Sequence, residues 1–439
     1  MSVAASMTEW IGDTFTSDTG WNHLERLVDV RNRMAGSLGE REAAEATREA
    51  LDRYCEDSWL DEFDIQGWTR GDSAVETPHG DEDCIALPRS PSGDGTGELV
   101  DLGYGLPSDF EETDVEGKVV LVSSDVPDWY DRYLHRREKY YHAVEAGAVG
   151  FVYANHVEGC LPPTGSVGTP ENPLGEIPAV GVSSEVGARL SRRSDGEQVT
   201  VSVTADVHDA TSQNVHAVLG PDTEEELLVT SHVDAHDIAE GAMDNGAGTA
   251  MVVEAARALA DREADLDTRV HFVCFGAEEV GLVGSAYDVE RRDRDDVRAV
   301  LNFDGVARGR TLKFYAHGFD ALADAAHEVA DRFGHPVSVT PKLGPHSDHW
   351  EYVKYGVPGY HVASETGGSG RGWGHTFADT LDKLEVRDFR EQAILLTALA
   401  VHLASDGFTV AHASEADIAA ALEDEDLAEG MKVTGDWPY

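Results

Sequence analysis

The segment LLVTSHVDAHDIAEGAMDNGAGTAMVVEAARALA, residues 227–260, carries the pattern on which the predicted architecture rests. Its apolar start, 227–230, is typical of a buried strand, and its end, 247–260, has apolar residues at helical spacing. The histidine, aspartate and glycine residues between them belong to a loop. The segment therefore predicts a strand, a loop and a helix, with polar side chains grouped at the carboxyl end of the strand.

The same order of strand, loop and helix recurs later in the chain. Apolar strands are predicted at 270–275 and 300–303, and helices at 319–332 and 387–404. Alternation of this kind predicts an α/β fold with a mostly parallel mixed sheet flanked by helices on both faces. In such sheets ligands bind beyond the carboxyl ends of the strands, which is where the polar motifs of this chain fall.

The first 95 residues have a different pattern. Apolar positions at helical spacing predict two helices within 21–54, separated by a turn at 36–39, and a strand near 59–65. From 71 to 95 the sequence is rich in Asp, Gly, Pro and Ser. This composition indicates a domain boundary or a loose connection.

A second α/β rhythm follows this boundary, with strands predicted at 118–122, 150–153 and 179–182 and a helix at 136–146. The stretches GKVVLVSS, HAVEAGAVGFVYAN and IPAVGVSSEVGARL resemble the protease-associated domain, a small α/β or β-rich module inserted in many peptidases. An ordinary strand–helix–strand unit of the main domain is the alternative.

The chain is strongly acidic, with 83 Asp and Glu against 34 Lys and Arg and a net charge of -49. Its 41% hydrophobic content and eight Trp indicate a folded chain rather than a disordered one. Lysine is scarce, so arginine supplies nearly all of the positive charge. This composition is typical of an extreme halophile, in which salt screens repulsion between carboxylates. It argues against nucleic acid and anionic membranes as partners.

The four cysteines, Cys55, Cys84, Cys160 and Cys274, are widely spaced and form no CxxC pair. We expect reduced, mostly buried thiols rather than disulfides or a thiolate metal site. The first residues lack the basic and apolar regions of a secretory signal. No run approaches the roughly 18 apolar residues of a membrane span. The prediction is a soluble, cytoplasmic protein.

Three acidic or histidine side chains in the opening segment are suited to binding metal. His232 and Asp234 lie two apart at a strand end, so both can point to one side, with His232 as ligand and Asp234 fixing its other nitrogen. An exposed pair at a strand end is the alternative. Asp244 lies in a glycine-rich loop, where it could merely cap the following helix. The glycines around it suit a backbone bent to place a carboxylate between two cations.

Further carboxylates and a histidine follow later strands. Glu278 and Glu279 come directly after an apolar strand, and burying both is costly without cations beside them. One could bind a metal while the other faces the attacking water; a solvated charged turn is the alternative. Asp304 ends the next strand and fits as a further ligand. His375 lies in the loop GRGWGHTFADT, near enough to Asp379 to be oriented by it.

The series SHVD, GAMDN, GAEEVGLVGS, NFDG, SDH and GHTFADTLDKL resembles the co-catalytic di-zinc peptidase family, which includes bacterial leucyl aminopeptidases and the glutamate carboxypeptidases. The resemblance covers roughly residues 215–404 and the N-terminal helices. It implies one metal held by His232, Asp244 and Asp304, and a second held by Asp244, Glu279 and His375. Two Zn²⁺ ions suit these nitrogen and oxygen ligands, with Co²⁺ or Mn²⁺ as substitutes.

The resemblance also implies roles around the metals. Glu278 is the implied general base that activates a metal-bridging water, and the bond between Asp244 and Asn245 is implied to be cis. Asp348, in the SDH motif, is implied to support the site from outside the ligands. Relatives often use a tyrosine near the last histidine to stabilise the oxyanion, but Trp373 precedes that position here. The candidates for substrate or oxyanion contacts are His349, Tyr355, Tyr360 and Arg371.

Together these features divide the chain into an N-terminal part of the peptidase domain (1–70), a protease-associated insert (71–208), the catalytic domain (209–408) and an acidic tail (409–439). The tail is predicted to be an exposed helix with a loose end. The expected activity is release of N-terminal residues from peptides, because no pair of arginines for a substrate carboxylate is evident. A carboxypeptidase, a single-zinc glutaminyl cyclase, a non-catalytic receptor-like scaffold and a homodimer remain open.

Overall fold

The computed structural model describes residues 3–130, 132–169, 172–366 and 372–439. The α-helices are α1 (Val3–Thr16), α2 (Thr19–Val28), α3 (Leu38–Leu51), α4 (Pro107–Glu112), α5 (Arg136–Glu145), α6 (Ser184–Ser194), α7 (Ala247–Ala260), α8 (Val283–Val289), α9 (Asp320–Phe333), α10 (Trp350–Val353), α11 (Val386–Leu403), α12 (Glu415–Asp424) and α13 (Ala428–Thr434). The strands are β1 (Asp57–Thr77), β2 (Gly80–Glu82), β3 (Ile85–Ala86), β4 (Gly93–Asp101), β5 (Val119–Ser123), β6 (Gly150–Ala154), β7 (Ala179–Val182), β8 (Gln198–Leu219), β9 (Glu226–His232), β10 (Arg269–Phe275), β11 (Val297–Phe303), β12 (Leu312–Tyr315), β13 (Val337–Thr340) and β14 (Gly359–Ser364).

The strands form one 14-stranded mixed sheet in the order β13-β12-β14-β11-β9-β10-β8-β4-β5-β6-β7-β3, with β1 paired to β8 and β2 paired to β1. Its centre is parallel, since β9 pairs in parallel with β10 and β11, and β11 pairs in parallel with β14. The predicted α/β fold with a mostly parallel mixed sheet is confirmed. The carboxyl ends of β9, β10 and β11 therefore lie side by side.

The central strands are buried on both faces, which explains their continuous apolar sequence. In β9, Leu227 and Val229 pack into the largest core cluster, which includes α7 and α11. Leu228, on the opposite face, packs in a second cluster with Tyr352 of α10. Each such side chain stabilises the fold by about 1.5–3 kcal/mol relative to an exposed position. This two-sided packing gives the loops at the strand ends a rigid base.

The long strands β1 and β8 join the insert to the peptidase part of the sheet. They pair antiparallel from Asp57↔Val218 to Glu76↔Thr200. One end of β8 also pairs with β10 and the other end with β4. The prediction of a loose connection over 71–95 was wrong in this respect, because β1 continues to Thr77 and is followed by further strands. The polar residues there are mostly exposed, and Gly71 lies where a Cβ would come 2.6 Å from the carbonyl oxygen of Thr204.

The acidic tail forms two helices, α12 and α13, and the prediction of a loose end was wrong. Leu422 and Met431 are buried in the main core, and α13 packs against α5 of the insert. Arg137 of α5 also pairs with Asp436 at 2.8 Å. Sequence alone showed the acidic residues of the tail, while its apolar residues acquire a burial site only in the folded structure.

The cysteines are all unpaired; Cys274 is buried, Cys160 is exposed, and the other two are intermediate. The expectation of mostly buried thiols thus holds for Cys274 alone. Among the described residues, none of the helices combines the length and apolar character that crossing a bilayer requires.

Candidate metal centre

The predicted ligands meet at the carboxyl ends of three neighbouring strands. His232 is the last residue of β9, the pair Glu278–Glu279 follows β10 by a short turn, and Asp304 follows β11 directly. Since β9 lies between β10 and β11, His232 stands between the glutamate pair and Asp304. The parallel order of the strands is what brings residues distant in sequence to one edge of the sheet.

One group of side chains surrounds the Nε2 atom of His232. This nitrogen lies 3.3 Å from Oδ1 of Asp244, 3.9 Å from Oδ1 of Asp304 and 4.0 Å from Oε2 of Glu278. The Nδ1 atom of His232 lies 3.1 Å from the main-chain carbonyl oxygen of Asp234. A carbonyl only accepts hydrogen bonds, so Nδ1 carries a proton, and Nε2 is the nitrogen that would bind a cation among the three carboxylates.

A second group surrounds the Nε2 atom of His375. This nitrogen lies 3.0 Å from Oδ2 of Asp244 and 3.3 Å from Oε2 of Glu279. The two oxygens of Asp244 thus face two different histidines, one in each group. Asp244 is placed as a bridging carboxylate would be.

His236 joins the second group, although the sequence analysis did not assign it a role. Its Nε2 atom lies 3.0 Å from Oε2 of Glu279, and its ring stands perpendicular to that of His375 with the ring centres 4.5 Å apart. His236, Glu279 and His375 form one cluster of potential ligands, and His232, Glu278 and Asp304 form another. The sequence feature that could have indicated this role is the second histidine of SHVDAH, which follows His232 by four positions.

Asp234 holds the turn that carries the two glutamates. Its carboxylate accepts hydrogen bonds from the backbone N–H groups of Glu278 and Glu279, each at 3.1 Å. The same carboxylate lies 3.5 Å from Nδ1 of His232. Its main contact is therefore with the glutamate turn, while the backbone carbonyl of Asp234 makes the shorter contact to His232. Glu40, on α3, supports the same turn by accepting a hydrogen bond from the N–H of Ala277 at 3.1 Å.

Asp379 holds the loop that carries Asp244. Its carboxylate accepts hydrogen bonds from the N–H groups of Met243 at 2.8 Å and Asp244 at 3.1 Å. The peptide bond between Asp244 and Asn245 is cis, as the family resemblance implied. Gly248 allows α7 to approach β11, because a Cβ there would lie 2.3 Å from the carbonyl oxygen of Phe303.

Arg33 ties the N-terminal helices to both loops of the site. Its buried guanidinium donates to the carbonyl oxygens of Val233 at 3.2 Å, Glu240 at 2.9 Å and Gly241 at 2.8 Å. Burial lowers the pKa of Arg33 to about 10, so it remains protonated at neutral pH. The sequence did not identify this residue, because the partners that tie it to the site are main-chain atoms about 200 positions away.

The electrostatics of the site differ between the two neighbouring glutamates. Burial raises the pKa of Glu278 well above its usual range; the charge of His232 opposes this effect, and the charges of Glu279 and Asp348 add to it. Burial acts in the same direction on Glu279, but the neighbouring His236 and His375 outweigh it and lower the pKa of this carboxyl. Glu279 therefore stays ionised, whereas Glu278 readily accepts a proton.

The site suits cations. The buried atoms Nε2 of His232 and Oε1 of Glu279 have no hydrogen-bond partner in the described part of the chain. Buried polar atoms that lack a protein partner are rare unless they bind an ion or a water molecule. Histidine nitrogens and carboxylate oxygens facing one another at 3–4 Å match the donor set of zinc.

A chain of polar side chains fixes Asp304 from behind. The hydroxyl of Ser347 donates to Oδ2 of Asp304 at 2.7 Å and accepts from Nδ2 of Asn302 at 2.8 Å. Thr230 in turn donates to Oδ1 of Asn302 at 2.7 Å. Asp348, next to Ser347, is buried, and burial raises its pKa well above the usual range. Of the SDH motif, Asp348 was expected to support the site, whereas Ser347 had no predicted role.

The predicted substrate-contact residues have other partners. His349 is buried in a stack between His317 and His361, at ring distances of 4.5 and 5.2 Å. The hydroxyl of Tyr360 points into the core and donates to a main-chain carbonyl, and Tyr355 packs its ring under Arg294 at 4.0 Å. These placements correct the suggestion that Tyr360 stabilises an oxyanion, since its hydroxyl is already used. Arg371 lies outside the described residues.

A cleft of about 200 Å³ opens beside the second group of ligands. It is lined by His236, Ile238, Ala239, Gly241, Asp244, Glu279, His375, Thr376 and Asp379. A larger cleft, of about 370 Å³, lies between the insert and the C-terminal helices, and its lining includes none of the predicted ligands. The smaller cleft is therefore the one adjacent to the metal ligands.

The chain is similar to several known proteins. Residues 95–190 match the PA domain. The chain is 28% identical to Aminopeptidase YwaD of Bacillus subtilis (strain 168) over 318 residues, covering 69% of this chain and 66% of YwaD. It is 28% identical to the Probable lipoprotein aminopeptidase LpqL of Mycobacterium tuberculosis, over 80% of this chain and 70% of LpqL. It is 31% identical to Leucine aminopeptidase 2 of Arthroderma otae, over 54% of this chain and 47% of that protein. The alignments thus span about half to 70% of these relatives' length.

Solved structures share the fold. A zinc aminopeptidase from Bacillus subtilis superposes with a TM-score of 0.70 at 23% identity, covering 90% of this chain and 96% of that one. A Peptidase M28 precursor from Shewanella amazonensis gives 0.75 at 20% identity, covering 92% of this chain and 97% of that one. Residues 214–400, which contain every predicted ligand, match Peptidase family M28. The part of the chain that holds the predicted ligands therefore matches peptidase family M28, and the preceding insert matches the PA domain.

Proposed function

We propose that this protein is a zinc-dependent aminopeptidase that releases single N-terminal residues from peptides. The observation that carries this proposal is the Asp244 carboxylate, whose two oxygens face His232 and His375. The names of the relatives support it, since YwaD is an aminopeptidase and LpqL a probable lipoprotein aminopeptidase. The structural relative from Bacillus subtilis is a zinc aminopeptidase.

Two zinc ions fit the ligands. His232, Asp244 and Asp304 would hold one ion, and Asp244, Glu279 and His375 would hold the other, so that Asp244 is shared. Bound zinc would supply Lewis acidity toward the scissile carbonyl and would favour ionisation of the attacking water. Asp234, Asp379 and Ser347 would keep these ligands in place through the hydrogen bonds described above.

Glu278 would act as the general base. Its carboxylate faces the same space as His232 and Asp304, and its buried position favours proton uptake. It would take a proton from the attacking water and deliver it to the leaving amine. Burial raises the pKa of Glu279, but His236 and His375 outweigh this effect and lower it. Glu279 would therefore remain a carboxylate and bind metal. Environment therefore assigns different roles to adjacent residues of one type.

The lining of the smaller cleft favours an aminopeptidase over a carboxypeptidase. Among the described residues that line it are Asp244, Glu279 and Asp379, but no lysine or arginine. A carboxypeptidase needs a cation to hold the terminal carboxylate of its substrate. Asp244 and Glu279 are proposed metal ligands and Asp379 accepts backbone hydrogen bonds, so the preference for an aminopeptidase rests on the lack of such a cation among the described lining residues.

The test is peptide cleavage followed by mass spectrometry, in molar KCl with zinc, on free and N-acetylated versions of the same peptides. We expect loss of single N-terminal residues from the free peptides alone, and no cleavage after chelation. Shortening of acetylated peptides from the C-terminus would assign a carboxypeptidase. Loss of ammonia from peptides with N-terminal glutamine would assign a cyclase, and a protein without bound zinc or activity would be a scaffold.

We also propose a cytoplasmic protein adapted to concentrated salt, acting on peptides, with neither nucleic acid nor membranes as partners. The charge of -49 supports the adaptation to salt and the exclusion of polyanions. The relative LpqL is named as a lipoprotein, so fractionation of cells between membrane and cytoplasm is the experiment that decides the location.

A further inference from the structure

We propose that His236 is a fourth protein ligand of the metal held by Asp244, Glu279 and His375. This inference deepens the proposed two-zinc centre and rests on it. It makes the two metal positions unequal: one is closed by four protein ligands, and the other keeps three and an open position.

The position of His236 is that of a ligand. Its side chain is buried, and its Nε2 atom lies 3.0 Å from Oε2 of Glu279. Glu279 is in turn 3.3 Å from Nε2 of His375, which is 3.0 Å from Oδ2 of Asp244. His236, Glu279 and His375 thus offer donor atoms within one cluster, Asp244 contacts that cluster through His375, and all four residues line the smaller cleft.

The separations between these donor atoms suit a four-coordinate ion. Ligand bonds of about 2.0–2.1 Å in a tetrahedral arrangement place donor atoms about 3.3–3.4 Å apart. The three separations of 3.0–3.3 Å are close to this value without any movement of the backbone. By contrast, the donors around His232 are spread over 3.3–4.0 Å, as in a more open group.

The loops that carry His236 and His375 are tied together by residues from outside the peptidase core. Asp237, next to His236, pairs with Arg70 of β1 at 2.6 Å. Arg70 also donates to the hydroxyl of Thr164 in the insert at 3.3 Å, and the N–H of Thr164 donates to the carbonyl of His375 at 2.8 Å. This connection fixes the spacing of the two histidines before any metal binds, which lowers the cost of ordering the site.

A closed site and an open site have different functions. Four-coordinate protein sites are typical of structural zinc, whereas catalytic zinc keeps a position for water or substrate. We therefore infer that the His375 site fills first and tightly, and that the His232 site, beside Glu278, is where the substrate is engaged. His236 has no acceptor for its Nδ1 atom among the described residues, whereas Nδ1 of His232 has one. The metal-binding nitrogen of His236 is accordingly expected to be less basic than that of His232.

The experiment compares zinc binding by the metal-free protein and two variants, His236→Ala and His236→Gln. Isothermal titration in molar KCl gives the number of sites and their dissociation constants, and the visible spectrum after Co²⁺ loading reports the coordination. Glutamine can still donate a hydrogen bond to Glu279 but is a poor metal ligand. It therefore separates a ligand from a residue that only positions Glu279.

We expect the wild-type protein to bind two Zn²⁺ ions in two affinity classes. Both variants should weaken the tighter class by at least the 10–100-fold typical of losing a supporting partner. The Co²⁺ spectrum of one site should change, while the weaker class keeps its affinity. The control is His335→Gln, which removes a buried histidine 3.4 Å from Glu391, remote from the ligands, and should change neither class.

Several outcomes overturn the inference. If His236→Gln retains the tighter affinity and only His236→Ala loses it, His236 positions Glu279 and is not a ligand. If both variants keep two unaltered zinc sites and only KM rises, His236 contacts the substrate. These results would leave the proposed two-zinc enzyme intact. A wild-type protein that binds no zinc would instead refute the proposed function together with the inference. Thermal unfolding in molar KCl confirms that each variant is folded.

Discussion

At the scale of single residues, the proposed role of Glu278 predicts a loss of turnover without a loss of zinc. Replacing it by glutamine in Glu278→Gln keeps the size of the side chain and removes its ability to take a proton from water. We expect kcat to fall by about 10²–10⁴-fold, the usual contribution of a general base, while two zinc ions remain bound. Peptide turnover and metal analysis of the same sample measure both quantities.

The matched control for this variant is the neighbouring residue. Glu279→Gln changes the same atoms one position along the chain, but it removes a ligand, so zinc at the His375 site should be lost together with activity. Undiminished turnover by Glu278→Gln would show that another group activates the water.

Ser347 is predicted to support one metal and not the other. Its hydroxyl donates to Asp304 at 2.7 Å and is held by Asn302. Ser347→Ala removes this bond, so the affinity of the His232 site for zinc should fall by about 10–100-fold. The His375 site, which makes no contact with Ser347 among the described residues, is the internal control in the same titration. Equal weakening of both sites would indicate a general loss of structure.

The family resemblance implied the ligand set, but the sequence did not identify the residues that hold those side chains. His232, Asp244, Glu279, Asp304 and His375 stand in motifs of recognisable composition, which made the resemblance visible. Ser347, Arg33 and His236 were missed for a physical reason. Their roles depend on which loop a side chain faces after the strands have paired, and nothing in a linear pattern encodes that direction.

At the scale of elements, the buried pairing of α2 with α3 leads to a prediction about pH. His23 of α2 lies 3.0 Å from the hydroxyl of Thr47 on α3. Burial, assisted by nearby arginines, lowers its pKa from 6.5 to about 3. Between these two values the unfolded chain binds a proton that the folded chain does not. Stability from this group is therefore complete above about pH 6.5 and is lost as the pH falls toward 3.

The variant His23→Leu tests this assignment. The hydroxyl of Thr47 keeps its hydrogen bond to the carbonyl of Ala43, so the variant should fold. As the pH falls, we expect the free energy of unfolding of the variant to decline less steeply than that of the wild type. The two slopes should differ by up to about 1.4 kcal/mol per pH unit, which is the effect of one proton. Urea unfolding in molar KCl at several pH values between 6.5 and 5 measures the slope. A slope equal to that of the wild type would mean that His23 is already protonated in the fold.

Helices and strands with clear apolar periodicity were predicted within a few residues of their observed bounds. The helix α7 was predicted at its observed position, and β7 likewise. The exceptions are elements whose formation depends on distant parts of the chain. The second half of β1 is largely polar and exposed and is held by pairing with β8, and α13 is stabilised by packing on α5 of the insert. Neither contact has a local signature.

At the scale of the whole molecule, the charge of the chain predicts its dependence on salt. The 34 Lys and Arg residues can neutralise fewer than half of the 83 Asp and Glu residues, which leaves a net charge of -49. Folding brings these carboxylates closer together than they are in the unfolded chain, so their mutual repulsion destabilises the compact state. Repulsion of this kind acts over a Debye length of about 10 Å at 0.1 M salt and about 3 Å at 1 M.

We therefore expect the melting temperature to rise steeply between 0.1 and 2 M KCl, and the protein to unfold in dilute buffer. Thermal unfolding followed by circular dichroism measures this directly. Sucrose is the control, because it stabilises compact states through its exclusion from protein surfaces but screens no charge. If KCl acts by screening, most of its effect should appear by about 1 M, where the Debye length is already shorter than typical distances between surface carboxylates. A melting temperature that is the same at low and molar salt would contradict the halophilic interpretation, and the excess of acidic residues would then need another explanation.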